Sequence, residues 1–218
     1  MKYRAAVFDL DGTLIDSIED IADSMNAVLL SNGLPVHEVD VYRSLVGDGS
    51  LMLAKRALPE NAADEEKAEE TRDLFFEEYR ARCMEKTRPY PGIPGLLDML
   101  AGRGIRLAVL SNKFDELTVM LVRSFFPEHD FECVVGSRPG IPRKPSPDGA
   151  FLIAGEMGVK PAEFIYFGDT GTDMETAVRA GMFPVGVLWG FRDRNELVSA
   201  GASAVIERPE DFISAGIC

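Results

Sequence analysis

The nine residues AAVFDLDGT, at positions 5–13, form a short apolar segment that ends in a pair of aspartates. Residues 5–10 predict a buried β-strand because only Asp9 interrupts the apolar run. Asp9 and Asp11, two positions apart, would point to the same side of an extended chain, and we expect a turn to begin at this pair. Gly12 permits such a turn. Ligands of open α/β sheets bind beyond the carboxyl ends of the strands, where this pair lies. Taken alone, the pair is equally consistent with a solvated loop.

Similar apolar segments alternate with helical patterns through most of the chain. Further strands are predicted at residues 106–110, 131–135, 164–167 and 184–188, and helices at residues 94–102, 115–126, 148–157 and 173–180. Nearly continuous apolar strands are typical of a parallel sheet that is covered on both faces. Strands that alternate with helices therefore predict an α/β fold with a doubly wound, Rossmann-like parallel sheet.

Residues 15–88 interrupt this alternation. They contain helical patterns at residues 17–31 and 63–85 and no convincing strand. A segment of this length is too long for a connection within a sheet. We therefore expect a helical cap domain at residues 15–88, inserted into an α/β core that residues 1–14 and 89–218 form.

The composition is that of a globular protein, with 46% hydrophobic and 27% charged residues. A net charge of −13 argues against nucleic acid or an anionic membrane as a partner, because both attract clustered positive charge. No apolar run reaches the roughly 18 residues of a membrane span, and the first residues carry no signal-peptide cleavage site. Three scattered cysteines predict neither a disulfide framework nor a zinc site. These observations predict a cytoplasmic protein.

Polar groups follow the other predicted strands as well. Ser111 and Asn112 follow residues 106–110, and the segment GDTGTD at residues 168–173 follows residues 164–167. Lys144 lies in RKPSP, where two prolines stiffen the backbone around the cation. A capping serine, an exposed lysine or an aspartate at a helix N-terminus explains each group alone. Their joint occurrence after parallel strands favours a shared site.

This set of side chains suits phosphoryl transfer to an aspartate. Asp9, Asp11 and Asp169 offer the oxygen ligands that Mg²⁺ prefers, and the metal would let an acidic site accept a phosphate dianion. A carboxylate can attack phosphorus and form an aspartyl-phosphate. Lys144 and the Ser111 hydroxyl can bind the phosphoryl oxygens. A second carboxyl group can protonate the leaving oxygen and then activate water.

The motifs DLDGT, SNK, RKP and GDTGTD, in this order and with a helical insert after the first, resemble those of the haloacid dehalogenase (HAD) superfamily. The resemblance extends over essentially the whole chain. It implies that Asp9 is the nucleophile and a Mg²⁺ ligand. It also implies that Asp11 is the general acid and base and gives its backbone carbonyl to the metal.

The same resemblance assigns the remaining positions. It implies that Ser111 and Lys144 bind the phosphoryl group and that Asn112 supports them. Asp169 would complete the metal site. Asp173 would lie outside the ligand set and orient water or Lys144.

Two cap segments resemble those of bacterial phosphoglycolate phosphatases, namely IEDIA at residues 18–22 and VGDG at residues 46–49. Gly47 and Gly49 leave backbone N–H groups free at the start of a helix near Leu51, a setting that suits a carboxylate. An ordinary turn into a helix explains this segment equally well. The resemblance predicts that Gly47, Asp48 and Gly49 bind substrate, and that the substrate is a small phosphorylated metabolite, 2-phosphoglycolate.

Two alternatives remain open at this point. A related phosphatase could act on nucleoside monophosphates, sugar phosphates or pyrophosphate, because the cap selects the substrate. The second alternative is a sensor that binds phosphate and metal without turnover. The presence of all four core residues, Asp9, Asp11, Lys144 and Asp169, argues against it. The sequence is compatible with a monomer or a homodimer.

Overall fold

The computed structural model describes residues 2–60 and 63–217. Met1, Asn61, Ala62 and Cys218 belong to the predicted domains but lie outside the described residues. The strands of the structure are β1 (Ala5–Phe8), β2 (Ile15–Asp16), β3 (Arg88–Pro89), β4 (Arg106–Phe114), β5 (Phe131–Ser137), β6 (Phe164–Gly168), β7 (Phe183–Val187) and β8 (Ala204–Ile206). Six of them form one parallel sheet in the order β5-β4-β1-β6-β7-β8. The predicted parallel α/β fold is confirmed.

Ten α-helices of the described residues cover this sheet and extend from it. They are α1 (Ile18–Ser31), α2 (Val39–Leu45), α3 (Ser50–Ala57), α4 (Glu65–Arg82), α5 (Ile93–Gly102), α6 (Asp115–Phe125), α7 (Asp148–Met157), α8 (Gly171–Ala180), α9 (Arg194–Ser199) and α10 (Asp211–Ser214). Residues of β1 alternate between two cores, because successive side chains of a strand point to opposite faces. Ala6 and Phe8 pack in a core with α5 and α6, and Ala5 and Val7 pack in a core with α7 and α8. The sheet is therefore covered on both faces.

Strand β4 is four residues longer than predicted. It continues through Ser111, Asn112 and Lys113, with an irregular register between Leu110 and Phe114, where Phe114 pairs with Ser137 of β5. The polar motif predicted to follow the strand is therefore part of it. Pairing with β5 extends the strand over residues that are not apolar enough to predict it.

The sequence analysis missed β8, α9 and α10 near the C-terminus. These elements contain only three, six and four residues, and they lie on the β7 side of the sheet. Such short segments contain too few turns or alternations for a period to be recognised. Tertiary contacts determine them, because β8 pairs with β7, α9 packs against both strands, and the Phe212 ring of α10 lies against Phe167 of β6.

Residues 15–88 contain α1 to α4, and the two longest helices lie close to the predicted bounds. The absence of a strand was wrong, because β2 pairs antiparallel with β3 at Ile15↔Pro89 and Asp16↔Arg88. Two residues on each side are too few to produce a recognisable strand pattern. The pair joins the chain leaving β1 to the chain that returns toward α5.

Asp20, in the first turn of α1, fastens this returning chain. Its side chain is buried and accepts hydrogen bonds from the Lys86 backbone N–H (3.0 and 3.1 Å), the Thr87 backbone N–H (2.8 Å) and the Thr87 hydroxyl (2.7 Å). The buried carboxylate thus satisfies two backbone donors that belong to no helix. Across the described residues, no helix combines the length and the apolar composition needed to cross a membrane.

Candidate active site

Three chain segments bring polar side chains together at the carboxyl edge of the sheet. Asp9 follows β1, Asp169 follows β6, and Lys144 lies in the loop between β5 and α7. Lys144 Nζ lies 2.9 Å from Asp9 Oδ1. Thr13, in the turn after β1, donates its hydroxyl to Asp169 Oδ1 at 3.0 Å. The parallel order of the strands therefore places these three predicted residues in one cluster.

Asp9 is held by one of its two carboxylate oxygens. Oδ1 accepts a hydrogen bond from the Leu10 backbone N–H at 2.7 Å and also lies beside Lys144. Burial, and after it the negative charge of Asp173, raise the pKa of Asp9 to about 7, against the opposing effect of Lys144. This arrangement orients the carboxylate and leaves Oδ2 as the oxygen that can act as a nucleophile or ligand.

Asp9, Asp169 and Asp173 form a buried acidic cluster. One carboxylate oxygen from each lies within 4.8 Å of the other two. Burial, followed by the charges of Asp173 and Asp9, raises the pKa of Asp169 well above its usual range. Lys144 alone does not balance three buried carboxylates, and buried charges need compensation. The donor set, all carboxylate oxygens, suits a hard divalent cation.

Two glycines allow the backbone to close around Asp169. Gly12 has φ of +85°, and a Cβ there would lie 2.2 Å from Asp169 Oδ2. A Cβ on Gly190 would lie 2.3 Å from both the Asp169 Cβ and the Gly12 carbonyl oxygen. The neighbouring Phe191 backbone N–H donates to Asp169 Oδ2 at 2.9 Å. The glycine of the DLDGT motif is therefore required by a direct contact with the carboxylate that follows β6.

Lys144 is fixed from both ends. Its Nζ lies 2.6 Å from Asp173 Oδ1, and its backbone N–H donates to Asn112 Oδ1 at 2.9 Å. Burial alone would lower the pKa of Lys144, but Asp173 and Asp9 outweigh it and raise this pKa well above its ordinary value. Lys144 is therefore a charged, immobile group beside Asp9. Asp173 lies against Lys144, one of the two placements that the sequence analysis considered.

Asp173 also belongs to the N-terminus of α8. Its Oδ2 accepts from the Thr170 backbone N–H at 3.1 Å and from the Thr170 hydroxyl at 2.7 Å, and its own backbone N–H donates to that hydroxyl at 3.3 Å. This reciprocal pattern is a capping box. The start of α8 thus determines where Asp173 meets Lys144.

Ser111 and Asn112 lie on β4, next to β1. Both side chains are buried, and the Ser111 hydroxyl accepts a hydrogen bond from the Lys113 backbone N–H at 3.3 Å. Asn112 Nδ2 donates to the carbonyls of Lys144 and Gly47, each at 3.1 Å. Asn112 therefore connects the sheet both to the Lys144 loop and to the helical segment.

Asp11 is engaged by a residue that the sequence analysis did not assign. Lys113 Nζ lies 2.8 Å from each Asp11 carboxylate oxygen, and the Ser17 hydroxyl donates to Asp11 Oδ1 at 2.6 Å. Lys113 Nζ also lies 4.4 Å from the centroid of the Tyr79 ring on α4. The signal was the lysine of SNK itself, at a strand end beside two proposed phosphate-binding residues.

The segment at residues 46–49 contacts the core. Gly47 and Gly49 line a cavity that Asp9, Asp11 and Ser111 also line. Asp48 is turned away to Arg56 and to Thr172 on α8, whose hydroxyl donates to Asp48 Oδ1 at 2.9 Å. Burial acts to raise the pKa of Asp48, but the hydrogen bonds from Arg56 and Thr172 lower it overall. Asp48 therefore contacts α8 and Arg56 in this structure.

Arg192 is a second residue that the sequence analysis left unassigned. It lies in the loop after β7, and its guanidinium donates to the Val46 carbonyl at 2.7 Å and to the Arg43 carbonyl. It also lies 3.3 Å from Glu196 on α9. Nothing in its own segment, WGFR at residues 189–192, indicates a contact with the helical segment.

The chain is similar to known proteins over most of its length. The model of the family described as haloacid dehalogenase-like hydrolase matches residues 6–187. A protein of Aquifex aeolicus named phosphoglycolate phosphatase is 33% identical over 210 residues, which cover 96% of this chain and 95% of that protein. A phosphoglycolate phosphatase of Psychrobacter arcticus is 33% identical over 88% of this chain and 86% of its own length. A crystal structure from Lactobacillus delbrueckii subsp. bulgaricus is similar with a TM-score of 0.92 and 30% identity, and the match covers 99% of this chain and 98% of that one.

Proposed function

The chain belongs to the haloacid dehalogenase-like hydrolase family and is a phosphatase of that family, and on this basis we propose that it hydrolyses 2-phosphoglycolate to glycolate and phosphate. The observation that carries the phosphatase chemistry is the buried cluster of Asp9, Asp169, Asp173 and Lys144 at one edge of the sheet. The similarity to phosphoglycolate phosphatases over nearly the whole chain supports the substrate.

Phosphatases of this family use a divalent metal, and we propose Mg²⁺. Asp9, Asp169 and the backbone carbonyl of Asp11 would hold it, and the uncompensated carboxylates of the cluster support this assignment. When bound, the cation would neutralise negative charge, so that a phosphate dianion can enter an acidic site.

Asp9 forms the bond to phosphorus, and Asp11 transfers the protons. Asp9 Oδ2 attacks phosphorus, the bond from phosphorus to the ester oxygen breaks, and Asp11 gives its proton to that oxygen to release the alcohol. In the second step Asp11 takes a proton from water, whose oxygen attacks phosphorus. The bond from phosphorus to Asp9 then breaks, inorganic phosphate leaves, and the enzyme returns to its starting state.

Lys144, Ser111 and Asn112 position the phosphoryl group. The Lys144 ammonium and the Ser111 hydroxyl are buried beside Asp9 and can donate to phosphoryl oxygens as charge moves in the transition state. Asn112 holds the backbone N–H and carbonyl of Lys144 and so supports this arrangement without itself reaching the phosphate.

We propose that residues 15–88 act as a cap over the core formed by residues 1–14 and 89–218. The cavity between them supports this division, since α1, α3 and α4 contribute one wall and the ends of β1 and β4 contribute the other. Closure of such a cap excludes water from the reacting groups. Gly47 and Gly49, at the cap edge of the cavity, would bind substrate through backbone groups.

The walls of the cavity support a small substrate. The cap contributes the apolar side chains of Ile21, Leu53 and Phe75, and Ser50 and Tyr79 carry hydroxyl groups beside them. A sugar or nucleoside leaving group has more hydroxyl or base groups than these two can serve, and each group buried without a partner costs about 1–3 kcal/mol. The net charge of −13 further supports a soluble metabolite over nucleic acid or an anionic membrane.

The proposal is tested by phosphate release from 2-phosphoglycolate with Mg²⁺ or with EDTA, beside nucleoside monophosphates, sugar phosphates and pyrophosphate. We expect metal-dependent release with a strong preference for 2-phosphoglycolate. Asp9→Asn is expected to reduce release to the level of the blank, because it removes the attacking carboxylate. Asp73→Asn, the same change on the surface of α4, is the matched control and should retain activity.

Each other outcome has a distinct meaning. A preference for another ester would keep the mechanism and contradict the substrate. Substantial turnover by pure Asp9→Asn protein would contradict the aspartyl-phosphate route. Binding of phosphate and metal by a folded protein that releases phosphate from no ester would support the sensor instead.

A further inference from the structure

Lys113 is the cation of the cavity between cap and core. Among the described residues that line this cavity, it is the only lysine or arginine, and the acidic residues there are Asp9 and Asp11. Its side chain is 6% exposed. Lys144, the other buried lysine, contacts Asp9 and Asp173, and its proposed ligand is the phosphoryl group. The two lysines therefore contact different carboxylates of the site: Lys144 contacts Asp9 and Asp173, and Lys113 contacts Asp11.

Lys113 lies at the junction of core and cap. The ammonium lies between Asp11 of the core and the ring of Tyr79 of the cap. A charged group at this junction is accessible to a ligand in the cavity and is excluded from bulk water.

The chemistry of the leaving group connects Lys113 with specificity. Asp11 must lie within a hydrogen bond of the ester oxygen in order to protonate it. In a phosphorylated 2-hydroxy acid, one carbon separates that oxygen from the carboxylate. A ligand whose ester oxygen meets Asp11 therefore brings its carboxylate into the reach of Lys113, whose Nζ lies 2.8 Å from Asp11. An ammonium has three donors, so it can serve Asp11 and a ligand carboxylate together.

We propose that Lys113 binds the carboxylate of the leaving group and thereby selects phosphorylated 2-hydroxy acids over neutral phosphomonoesters. This inference rests on the proposed function, and it identifies the residue that recognises the carboxylate of the substrate. It makes Lys113 a specificity-determining residue on the core, complementary to the backbone groups of the cap. The apolar residues around it strengthen the discrimination, because an ammonium in a water-excluded cavity prefers an anion to a hydroxyl.

The test compares 2-phosphoglycolate with 2-hydroxyethyl phosphate, which carries a neutral alcohol in place of the carboxylate. The measured quantity is the ratio of the two kcat/KM values for wild type, Lys113→Met and Lys113→Arg, each checked for folding by circular dichroism. We expect Lys113→Met to lower this ratio by about tenfold to a hundredfold, as expected for a lost hydrogen bond between charged groups. Lys113→Arg should retain most of the preference.

The matched control is Arg143→Met. Arg143 lies beside Gly49 of the cap segment but does not line the cavity. Like Lys113→Met, this substitution removes one positive charge from the region of the site. We expect the ratio to stay at the wild-type value. An equal fall for Arg143→Met would show that long-range charge alone sets the preference, and would overturn the assignment of Lys113.

A second readout is inhibition by the reaction product. Glycolate, the product, should inhibit wild type and Lys113→Arg, and should lose this inhibition in Lys113→Met. An equal loss of kcat/KM for both esters, with glycolate inhibition unchanged, would mean that Lys113 only positions Asp11, and would overturn the proposal. Failure of the wild type to hydrolyse any phosphomonoester would instead overturn the proposed function itself, so the two failures are distinguishable.

Discussion

Asp169 shows how strongly single residues constrain this site. The carboxylate is fully buried and is held by the Thr13 hydroxyl and the Phe191 backbone N–H. Gly12 and Gly190 contact it so closely that neither position accepts a Cβ without displacement. A carboxylate proposed to hold a metal must be placed to a fraction of an ångström, and here backbone contact provides that placement.

Gly12→Ala tests this constraint. The added methyl would meet Asp169, and φ of +85° is unfavourable for alanine, so we expect kcat/KM to fall by about a hundredfold. Stabilisation of the protein by added Mg²⁺, measured as a shift in Tm, should fall as well. Both effects follow from displacement of one carboxylate.

Gly33→Ala separates displacement from backbone strain. Gly33 has φ of +67° but open space around it, after α1 and away from the site. We expect a loss of about 1 kcal/mol in the free energy of unfolding, with activity and the Mg²⁺ effect retained. If the two variants lost activity equally, contact with Asp169 would not be the cause.

At the scale of elements, the first turn of α1 connects the helical segment to the core. Asp20 accepts hydrogen bonds from two successive backbone N–H groups at residues 86–87, close to the β2–β3 pair. The paired strands contain only two residues each, so they cannot hold the crossing by themselves. The buried carboxylate of Asp20 therefore carries much of this connection.

Asp20→Ala is expected to lower the free energy of unfolding by about 3 kcal/mol. The substitution leaves the buried Thr87 N–H and the partly buried Lys86 N–H without an acceptor and removes hydrogen bonds to a charged group. Urea unfolding at equilibrium measures the change. A loss under 1 kcal/mol would mean that water or a rearranged chain replaces the carboxylate.

Asp23→Ala is the control for that experiment. Asp23 lies one turn further along α1 and pairs with the side chain of the same Lys86, at 2.7 Å, in an exposed ion pair. Exposed ion pairs contribute about 0–1 kcal/mol. A loss for Asp23→Ala as large as that for Asp20→Ala would contradict the role given to the backbone hydrogen bonds.

At the scale of the whole molecule, the helical segment and the sheet meet through a few polar contacts around the cavity. Asn112 reaches the Gly47 carbonyl, Arg192 reaches the Val46 carbonyl, and Thr172 reaches Asp48. All three core residues contact residues 46–48. Closure of the proposed cap would therefore form or break these contacts between the core and residues 46–48.

A double-mutant cycle with Asp48→Ala and Thr172→Val tests whether this contact exists in the reacting enzyme. We expect each single change to lower kcat/KM for 2-phosphoglycolate, and the double change to cost about 1 kcal/mol less than the sum. Steady-state kinetics of the four proteins provide the coupling. Additive effects would mean that the contact is absent when the substrate reacts.

Thr176→Val provides the matched control for the cycle. Thr176 lies one turn further along α8, and its hydroxyl donates to the Thr172 carbonyl within the helix at 2.7 Å. Combined with Asp48→Ala it should give additive effects. Coupling of the same size at Thr176 would indicate a general change in α8 instead of a contact with Asp48.

The sequence by itself determined the parallel α/β fold and the residues that gather at the strand ends. Local patterns carry this information, because apolar strands alternate with helices and because parallel strands place their carboxyl ends at one edge. Asp9, Lys144 and Asp169 could be brought together on that ground alone. The chemistry of their side chains added Asp11 and Ser111, and the family resemblance then added roles for Asn112 and Asp173.

Only the tertiary structure decided what the helical segment contributes to the site. The two-residue β2 and β3, the pairing of Lys113 with Asp11 beneath Tyr79, and the contacts of Arg192 and Asp48 all join residues that are far apart in the chain. Such contacts depend on how two packed bodies meet, and no period of 2 or 3.6 residues records them. The carboxylates of the proposed chemistry could therefore be predicted from strand ends, whereas the surroundings proposed to select the leaving group depend on packing between the helical segment and the sheet.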